Sequence, residues 1–406
     1  MGLHEMARNL EVPTLFPRLG GSSHDLRKSS SNTAIPSKVM SLQEINLEKE
    51  FDVIRTLSEG SFSKVLLARQ QGGGERMVLK AIHCEVTSSE DFSRELSYNY
   101  FLSPHPNIVT SYNVAFMWDN CFIYVQEYAL YGDLSRHLKK GGLLETQVKS
   151  IATQLTSAVE FIHSFQLVHR DLRPENILVF RKDLSIIKLG DFGQTRPSGA
   201  LLTKTSNNTS ASYCPPEISE LIVQEKYHSY TSGDVWSVGM ILIECLIGMT
   251  PWTTAEITDP NYTHYVDWLK RKTLKTPDIF QVFTPRFIRL LKRILEPKAA
   301  KRSKVSEVTK YINDEWIIKG SAAVIAIRRA SVERHESNAT SKSGHRQRYY
   351  GKKRSTRSLV ALESEIEVTS EHPVESVNER VGKWIDSSLK VSFSHPHHLN
   401  VNVGCQ

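Results

Sequence analysis

Two neighbouring stretches, LVHRDLRPENILVF (Leu167–Phe180) and IIKLGDFG (Ile186–Gly193), decide how this chain is read. Their apolar runs Ile177–Phe180 and Ile186–Leu189 flank a charged turn at Arg181–Asp183, a pattern that predicts a hairpin. One polar loop precedes the hairpin and another follows it. The loops bring Asp171, Asn176 and Asp191 to the open end of a rigid strand pair. Oxygen donors gathered in this way suit Mg²⁺, a hard ion that keeps several waters and shares phosphate oxygens. One carboxylate is left to take a proton from a hydroxyl.

The rest of the chain is sized for such a site. Its 406 residues allow one two-lobed unit with tails, and an apolar fraction of 40% supports a real core. A net charge of +7 favours acidic partners without choosing among nucleic acid, membrane and phosphate, so no firm nucleic-acid or membrane partner follows. The five cysteines show neither CxxC nor zinc spacing, which fits reduced thiols in the cytoplasm or nucleus better than a disulfide framework. Met1–Leu10 is charged and has no apolar signal core, and Met6 stands where an acylation signal has Ser or Thr. The most apolar helix candidate, Val235–Ile247, is short and carries Glu244, so it belongs to a core and the chain is expected to be soluble.

Composition divides the chain into a polar, Ser-rich arm over 1–45, an ordered unit over 46–318, and a tail over 319–406. The tail carries eleven Lys/Arg over Lys319–Arg357 and then six acids over Glu363–Glu379, a pattern of disorder. Within the ordered unit, FDVIRTL, KVLLAR, RMVLKAI, IVTSYNVAFMW and CFIYVQEYA read as strands. Between the third and fourth lies a helix over Thr87–Leu102, for which Thr87 and Glu90 supply a capping box. After it a mostly helical region begins with Thr146 as cap and a stripe of Val148, Ile151, Leu155, Val159 and Ile162. Amphipathic segments follow at Tyr262–Lys270, Pro285–Leu295 and Val305–Trp316.

His169-Arg170-Asp171, Asn176 and Asp191-Phe192-Gly193, in this order and spacing, resemble the catalytic and magnesium loops of protein kinases. The resemblance implies an α+β, two-lobed protein-kinase fold, with a small five-stranded antiparallel N-lobe carrying one helix and a larger, mostly helical C-lobe. It also implies ATP and Mg²⁺ as cofactors and protein hydroxyls as substrates. Asp171 would accept the substrate proton, and Asn176 and Asp191 would hold magnesium. Lys80, at the end of Met77-Val78-Leu79-Lys80, would grip the phosphates and pair with Glu95, with Glu90 the runner-up. Leu57, Gly60 and Val65 would cover the nucleotide. The backbone of Glu127 and Ala129 would meet adenine beside Gln126 at the gatekeeper position, and Asp133 would meet the ribose. Asp234 would brace the catalytic loop, Glu217 would pair with Arg302, and His169 would be structural. A phosphate on Thr205 or Ser206 would reach Arg170.

Two departures bear on rate. Ser58-Glu59-Gly60-Ser61-Phe62-Ser63 keeps only the central glycine of the usual G-x-G-x-x-G, and serine tolerates positive φ poorly, so a stiffer or shifted hairpin is expected. Arg173 replaces the lysine of serine/threonine kinases, and a guanidinium fork is not an ammonium point charge. These motivate a scaffold that is weak or silent in catalysis as one alternative. Arg173 alone motivates a tyrosine kinase as another, which Ser210, seven residues before Glu217, opposes. QEYALYGDL, GDFGQTR and YVDWLKRKTLK are similar to the SH3-binding-domain serine/threonine kinases, over the kinase domain only. No two prolines lie three apart, so SH3 binding is not carried over. Asp133, Glu175 and Glu244 stand where basic substrates are received in such kinases. The tail segment HRQRYYGKKRSTR (His345–Arg357) reads as a nuclear signal, a lipid-binding patch or a solvated tail.

Arg328-Arg329-Ala330-Ser331-Val332 is a basic phosphosite by pattern. Mass spectrometry of protein isolated from cells, with and without Lys80→Ala, is expected to find phosphate on Ser331; unmodified serine in both preparations contradicts this.

Overall fold

The alternation of buried side chains in five short strands sets the first lobe. The computed structural model describes residues 42–318 and Gly320, apart from 61–62, 139–140, 206–210 and 319. The expected arm over 1–41, nearly all of the tail, Ser206, Ser210 and Ser331 lie outside the described residues. A short helix α1 (Leu47–Glu50) leads into β1 (Phe51–Glu59), β2 (Ser63–Gln70) and β3 (Arg76–His83). Helix α2 (Ser89–Leu102), β4 (Ser111–Trp118) and β5 (Cys121–Glu127) complete the lobe. The strands form one antiparallel sheet in the order β1-β2-β3-β5-β4.

Because side chains alternate along a strand, Leu66, Ala68, Met77, Leu79, Ala81, Ile123 and Val125 pack together on one face. The opposite face presents Lys80, Phe122, Tyr124 and Gln126, and there Phe122 and Tyr124 pack with Phe92 and Leu96 of α2. The β4–β5 turn puts Asp119 and Asn120 at φ 48° and 57°, the left-handed pair that a tight hairpin needs. Residues 43–45, placed by composition in the arm, run along β4 through Ile45 N–H to Met117 O (3.0 Å) and Met117 N–H to Gln43 O (2.9 Å).

The second lobe is built on buried helices. In α3 (Glu145–Ser164) the stripe Val148, Ile151, Leu155, Val159 and Ile162 is buried as the 3.6-residue period requires. The hairpin strands β7 (Ile177–Val179) and β8 (Ile187–Leu189) are a residue shorter than their apolar runs. Between the two hairpin-flanking loops, β6 (Leu167–Val168) pairs with β9 (Arg196–Pro197) and closes the loops on each other. β10 (Leu201–Thr203), a single turn α4 (Pro216–Ser219) and β11 (Lys226–His228) follow, with β10 paired to β11. The central helix α5 (Thr231–Ile247) is almost wholly buried and ends on Gly248 at φ 79°. Helices α6 (Pro260–Leu269) and α7 (Pro285–Ile294) each begin on proline behind a capping Asp259 or Thr284. Among the described residues, no helix is long and apolar enough to cross a membrane.

Three local expectations are corrected. Helix α2 is capped by Ser88, whose Oγ accepts from Asp91 N–H at 3.1 Å, rather than by Thr87 with Glu90. Helix α3 starts before Thr146: Gln147 Oε1 accepts from Leu144 N–H (3.2 Å), while the Glu145 carboxylate receives the amides of Trp316 and Ile317 (3.0 Å each). A distant tertiary contact therefore sets that helix start. The Val305–Trp316 segment is a 3₁₀ turn over Val305–Tyr311, not an α-helix.

The guanidinium of Arg302 is fully buried and forks onto Glu217, with both contacts at 2.8 Å. Urea unfolding of Arg302→Met is expected to lose about 3 kcal/mol, the low end for breaking such a pair, because Glu217 keeps 29% exposure.

Candidate active site

One buried carboxylate organises the loop before the hairpin. Asp234, on the first turn of α5 and 1% exposed, accepts from the backbone N–H of His169 (2.8 Å) and of Arg170 (2.9 Å). His163 Nε2 lies 2.9 Å from Oδ2, the oxygen that also receives the His169 amide. Burial pushes the Asp234 carboxyl up, but the His163 hydrogen bond and charge and the backbone donors more than offset it, leaving the pKa below the usual value. These two donors let Arg170 hold φ 72°, a conformation rare for a side chain of this size. His169 is fully buried, with Nε2 3.1 Å from Gly190 O; a carbonyl only accepts, so the ring donates there and ties one loop to the other.

The side chains expected at the site then come together. Asn176 Nδ2 donates to Asp171 O (2.7 Å) and Oδ2 (2.9 Å), so the amide oxygen of Asn176 is the atom left for a cation. Asp191, at φ 63° and 45% exposed, follows Gly190, whose N–H donates to the Asn176 backbone carbonyl at 2.9 Å. Lys80 reaches Glu95 Oε1 at 2.9 Å and Asp191 Oδ1 at 3.1 Å, with Tyr124 OH also donating to Glu95 Oε1 at 2.7 Å. Burial alone would lower the Lys80 pKa, but Asp191 and Glu95 hold it well above the ordinary lysine value. The Lys80 charge in turn depresses Asp191. A Cβ on Gly193 would lie 3.0 Å from Glu95 Oε2 and 3.6 Å from Asp191 Oδ1, so a larger residue there would press on the Glu95 carboxylate. This donor set fits Mg²⁺, which takes one or two protein oxygens and leaves its other positions to water and phosphate. Among the described residues no group of three or more His, Cys, Asp or Glu forms a metal cage.

The other expected residues fall around this centre. Val65 pairs with Lys80 across β2–β3, Leu57 is half-buried on β1, and Gly60 N–H bonds Ser63 O at 2.9 Å. Ser58 and Ser63 carry no strain, since neither takes a positive φ; the ladder instead slips between Thr56 and Ser58. At the hinge, Ala129 is buried, and the Glu127 carboxylate is held by Lys188 Nζ (2.6 and 2.8 Å) and Thr110 N–H (2.5 Å). Asp133 precedes a 3₁₀ turn (Leu134–His137), and its carboxylate accepts from Ser135 Oγ and from Arg136 Nε at 2.9 Å. Arg173 gives its Nε to Glu175 at 2.8 Å and lies within electrostatic reach of Asp171. Arg170 donates to Gln194 O and to Tyr227 OH, both at 2.8 Å.

Sequence reasoning missed Tyr124, His163, Lys188 and Tyr227. Each acts through a partner more than twenty residues away, and a single sequence carries no signal for such a pair. It also missed Arg94 and Arg196. Burial, and then Arg94 and Arg170, pull the Arg196 pKa down, so three guanidinium groups share this corner.

Comparison with known proteins agrees with the geometry. Residues 51–317 match the protein kinase domain family. The chain is 40% identical over 269 residues to the serine/threonine-protein kinase meng-po of Drosophila melanogaster, covering 66% of this chain and 59% of that protein. It is 34% identical over 282 residues to the serine/threonine-protein kinase SBK1 of Danio rerio, covering 69% and 73%. For SBK1 of Mus musculus the figures are 32% over 271 residues, covering 66% and 64%. The match thus spans less than two thirds of the fly and mouse proteins.

Because the folded pKa of Asp234 lies below its ordinary 3.8, its electrostatic contribution is present above that pH and is lost as pH falls toward the folded value. Asp234→Asn is therefore expected to lower stability by about 1–3 kcal/mol at pH 7, with the deficit narrowing below the carboxyl range. Urea midpoints of both proteins at pH 7 and in acid measure this.

Proposed function

The chain belongs to the protein kinase family, and by its kinase domain to the SH3-binding-domain serine/threonine kinases; from that premise we propose that it transfers the γ-phosphate of ATP to serine or threonine hydroxyls of protein substrates. The observation that carries the proposal is the Lys80–Glu95–Asp191 contact, together with the Asn176–Asp171 hydrogen bond. Lys80, held protonated, offers fixed positive charge to the phosphates. Asn176 Oδ1 and the Asp191 carboxylate would hold magnesium, whose bound charge would neutralise phosphate oxygens. Asp171, oriented by Asn176, accepts the hydroxyl proton and aims the nucleophile. Arg173 supplies charge where lysine is usual.

Substrates with basic residues near the acceptor serine fit the acids at the mouth of the site. Glu175 feels the charge of Asp133, and Tyr213 feels both Glu244 and Glu175, so Asp133, Glu175 and Glu244 form one acidic neighbourhood. Control of the site fits a phosphate on Thr205 or a neighbour. Arg94 Nε and Arg170 Nε are buried without a hydrogen-bond partner, and Arg196 sits beside them. A catalytically weak scaffold is the competing reading, favoured by the serine-substituted loop and Arg173.

Purified protein with Mg·ATP and a degenerate peptide library is expected to label serine and threonine, with arginine enriched near the acceptor. Asp171→Asn is expected to lower the rate by at least roughly a hundredfold, the range for losing a general base. Equal incorporation by the two proteins rejects the enzyme reading, and tyrosine labelling rejects the serine/threonine assignment.

A further inference from the structure

The gatekeeper Gln126 does not merely wall the cleft. It belongs to a buried chain of amides and hydroxyls that runs into the helix bearing Glu95. Asn99 and Ser111 are fully buried and Gln126 is 9% exposed. Asn99 Nδ2 donates to the backbone carbonyl of Glu95 at 2.9 Å. A carbonyl only accepts, so the Asn99 oxygen must face the other way, and it receives Gln126 Nε2 at 3.0 Å. The same Nε2 donates to Ser111 Oγ at 2.8 Å. Ser111 N–H donates to Ser103 Oγ (2.9 Å), which donates back to Asn99 O (2.6 Å) and closes the circuit at the end of α2. The Asn99 carbonyl contact thus fixes the orientation of the Asn99 amide, and that in turn fixes the Gln126 amide.

The spacing explains why it can act as a ruler. Glu95 and Asn99 are four residues apart on α2, a rise of about 6 Å. Tyr124 and Gln126 are two residues apart on β5, a rise of about 6.6 Å on the same face. Two matched rungs result: Tyr124 to Glu95 (2.7 Å) and Gln126 to Asn99 (3.0 Å). Apart from these rungs and the Lys80–Glu95 pair itself, α2 meets this face through the apolar cluster of Phe92, Leu96, Phe122 and Tyr124, which has no directional preference and tolerates sliding. Hydrogen bonds between buried amides do not tolerate it, because a shifted helix leaves them unsatisfied.

We propose that Gln126, Asn99 and Ser111 are positioning residues that lock the register of α2 on the sheet and thereby hold the Glu95 carboxylate on Lys80. This rests on the kinase reading for its kinetic consequence but not for its structural one. The lock acts as a unit: once one member is removed, removing a second changes little.

The test uses the full chain carrying Asn99→Leu, Gln126→Met and the pair together. Each single variant is expected to lower kcat by about tenfold, the effect of orphaning a buried donor or acceptor, with KM for peptide unchanged. The double variant is expected to be no slower than the slower single. In parallel, hydrogen exchange of the nucleotide-free proteins should quicken across 89–102 while 145–164 stays as in the wild type. Unchanged kcat in the singles, losses that multiply in the double, or unchanged exchange across 89–102 each overturn the proposal. A wild-type protein without turnover would reject the kinase reading instead, leaving the exchange measurement to decide the lock. Should Asn99→Leu fail to fold, Ser111→Ala deletes one buried oxygen and almost no packing; it should show the same pattern at smaller amplitude, and its absence overturns the proposal equally.

Discussion

A single buried ammonium group holds this architecture to its task. Lys80 comes from the third strand, Glu95 from the helix of the first lobe and Asp191 from the loop after the hairpin of the second, and the three meet within 3.1 Å. A cation taken out of water is stable only when its partners are well placed. The burial of Lys80 therefore makes the position of α2 on the sheet, and of the Asp191 loop beneath it, matters of free energy and not only of shape. The shifted pKa values express the same constraint: Lys80 is held protonated and Asp191 ionised over the ordinary pH range.

Other features serve to keep those partners in place. Asp191 and Arg170 sit at positive φ, and residues in such sparsely populated conformations persist only where the surroundings over-determine them. Here Asp234 supplies two acceptors to the backbone at Arg170, and His169 bridges to Gly190 beside Asp191. A Cβ at Gly193 would come within 3.0 Å of Glu95 Oε2. On the other side, Lys188 on the hairpin clamps Glu127 at the hinge, so the strand that would meet adenine is tied to the strand pair flanked by Asn176 and Asp191.

Much of this was legible from the sequence because chemistry at short range demands particular residue types at particular offsets. Asp171, Asn176 and Asp191 flank a hairpin that apolar alternation reveals, and Lys80 precedes a capped helix with one inward acid at a suitable distance. Local signals that differ by one residue were less decisive. Thr87 and Ser88 can both cap a helix, and the structure uses Ser88 with Asp91. The start of α3 could not be read locally, since Glu145 is held by the amides of Trp316 and Ile317 at the far end of the domain. Nor could the circuit of Gln126, Asn99 and Ser111, because polar residues at core positions look like exceptions until their partners are seen together.

If Asp191 and Asn176, with Lys80, make one site for nucleotide and magnesium, binding of each must depend on the other. Calorimetric titration with a non-hydrolysable ATP analogue, with and without Mg²⁺, tests it most directly. The account predicts that Mg²⁺ tightens binding to the wild-type protein and that this increment disappears in Asp191→Asn. Binding that ignores Mg²⁺ in the wild type, or an increment that survives the substitution, would contradict it.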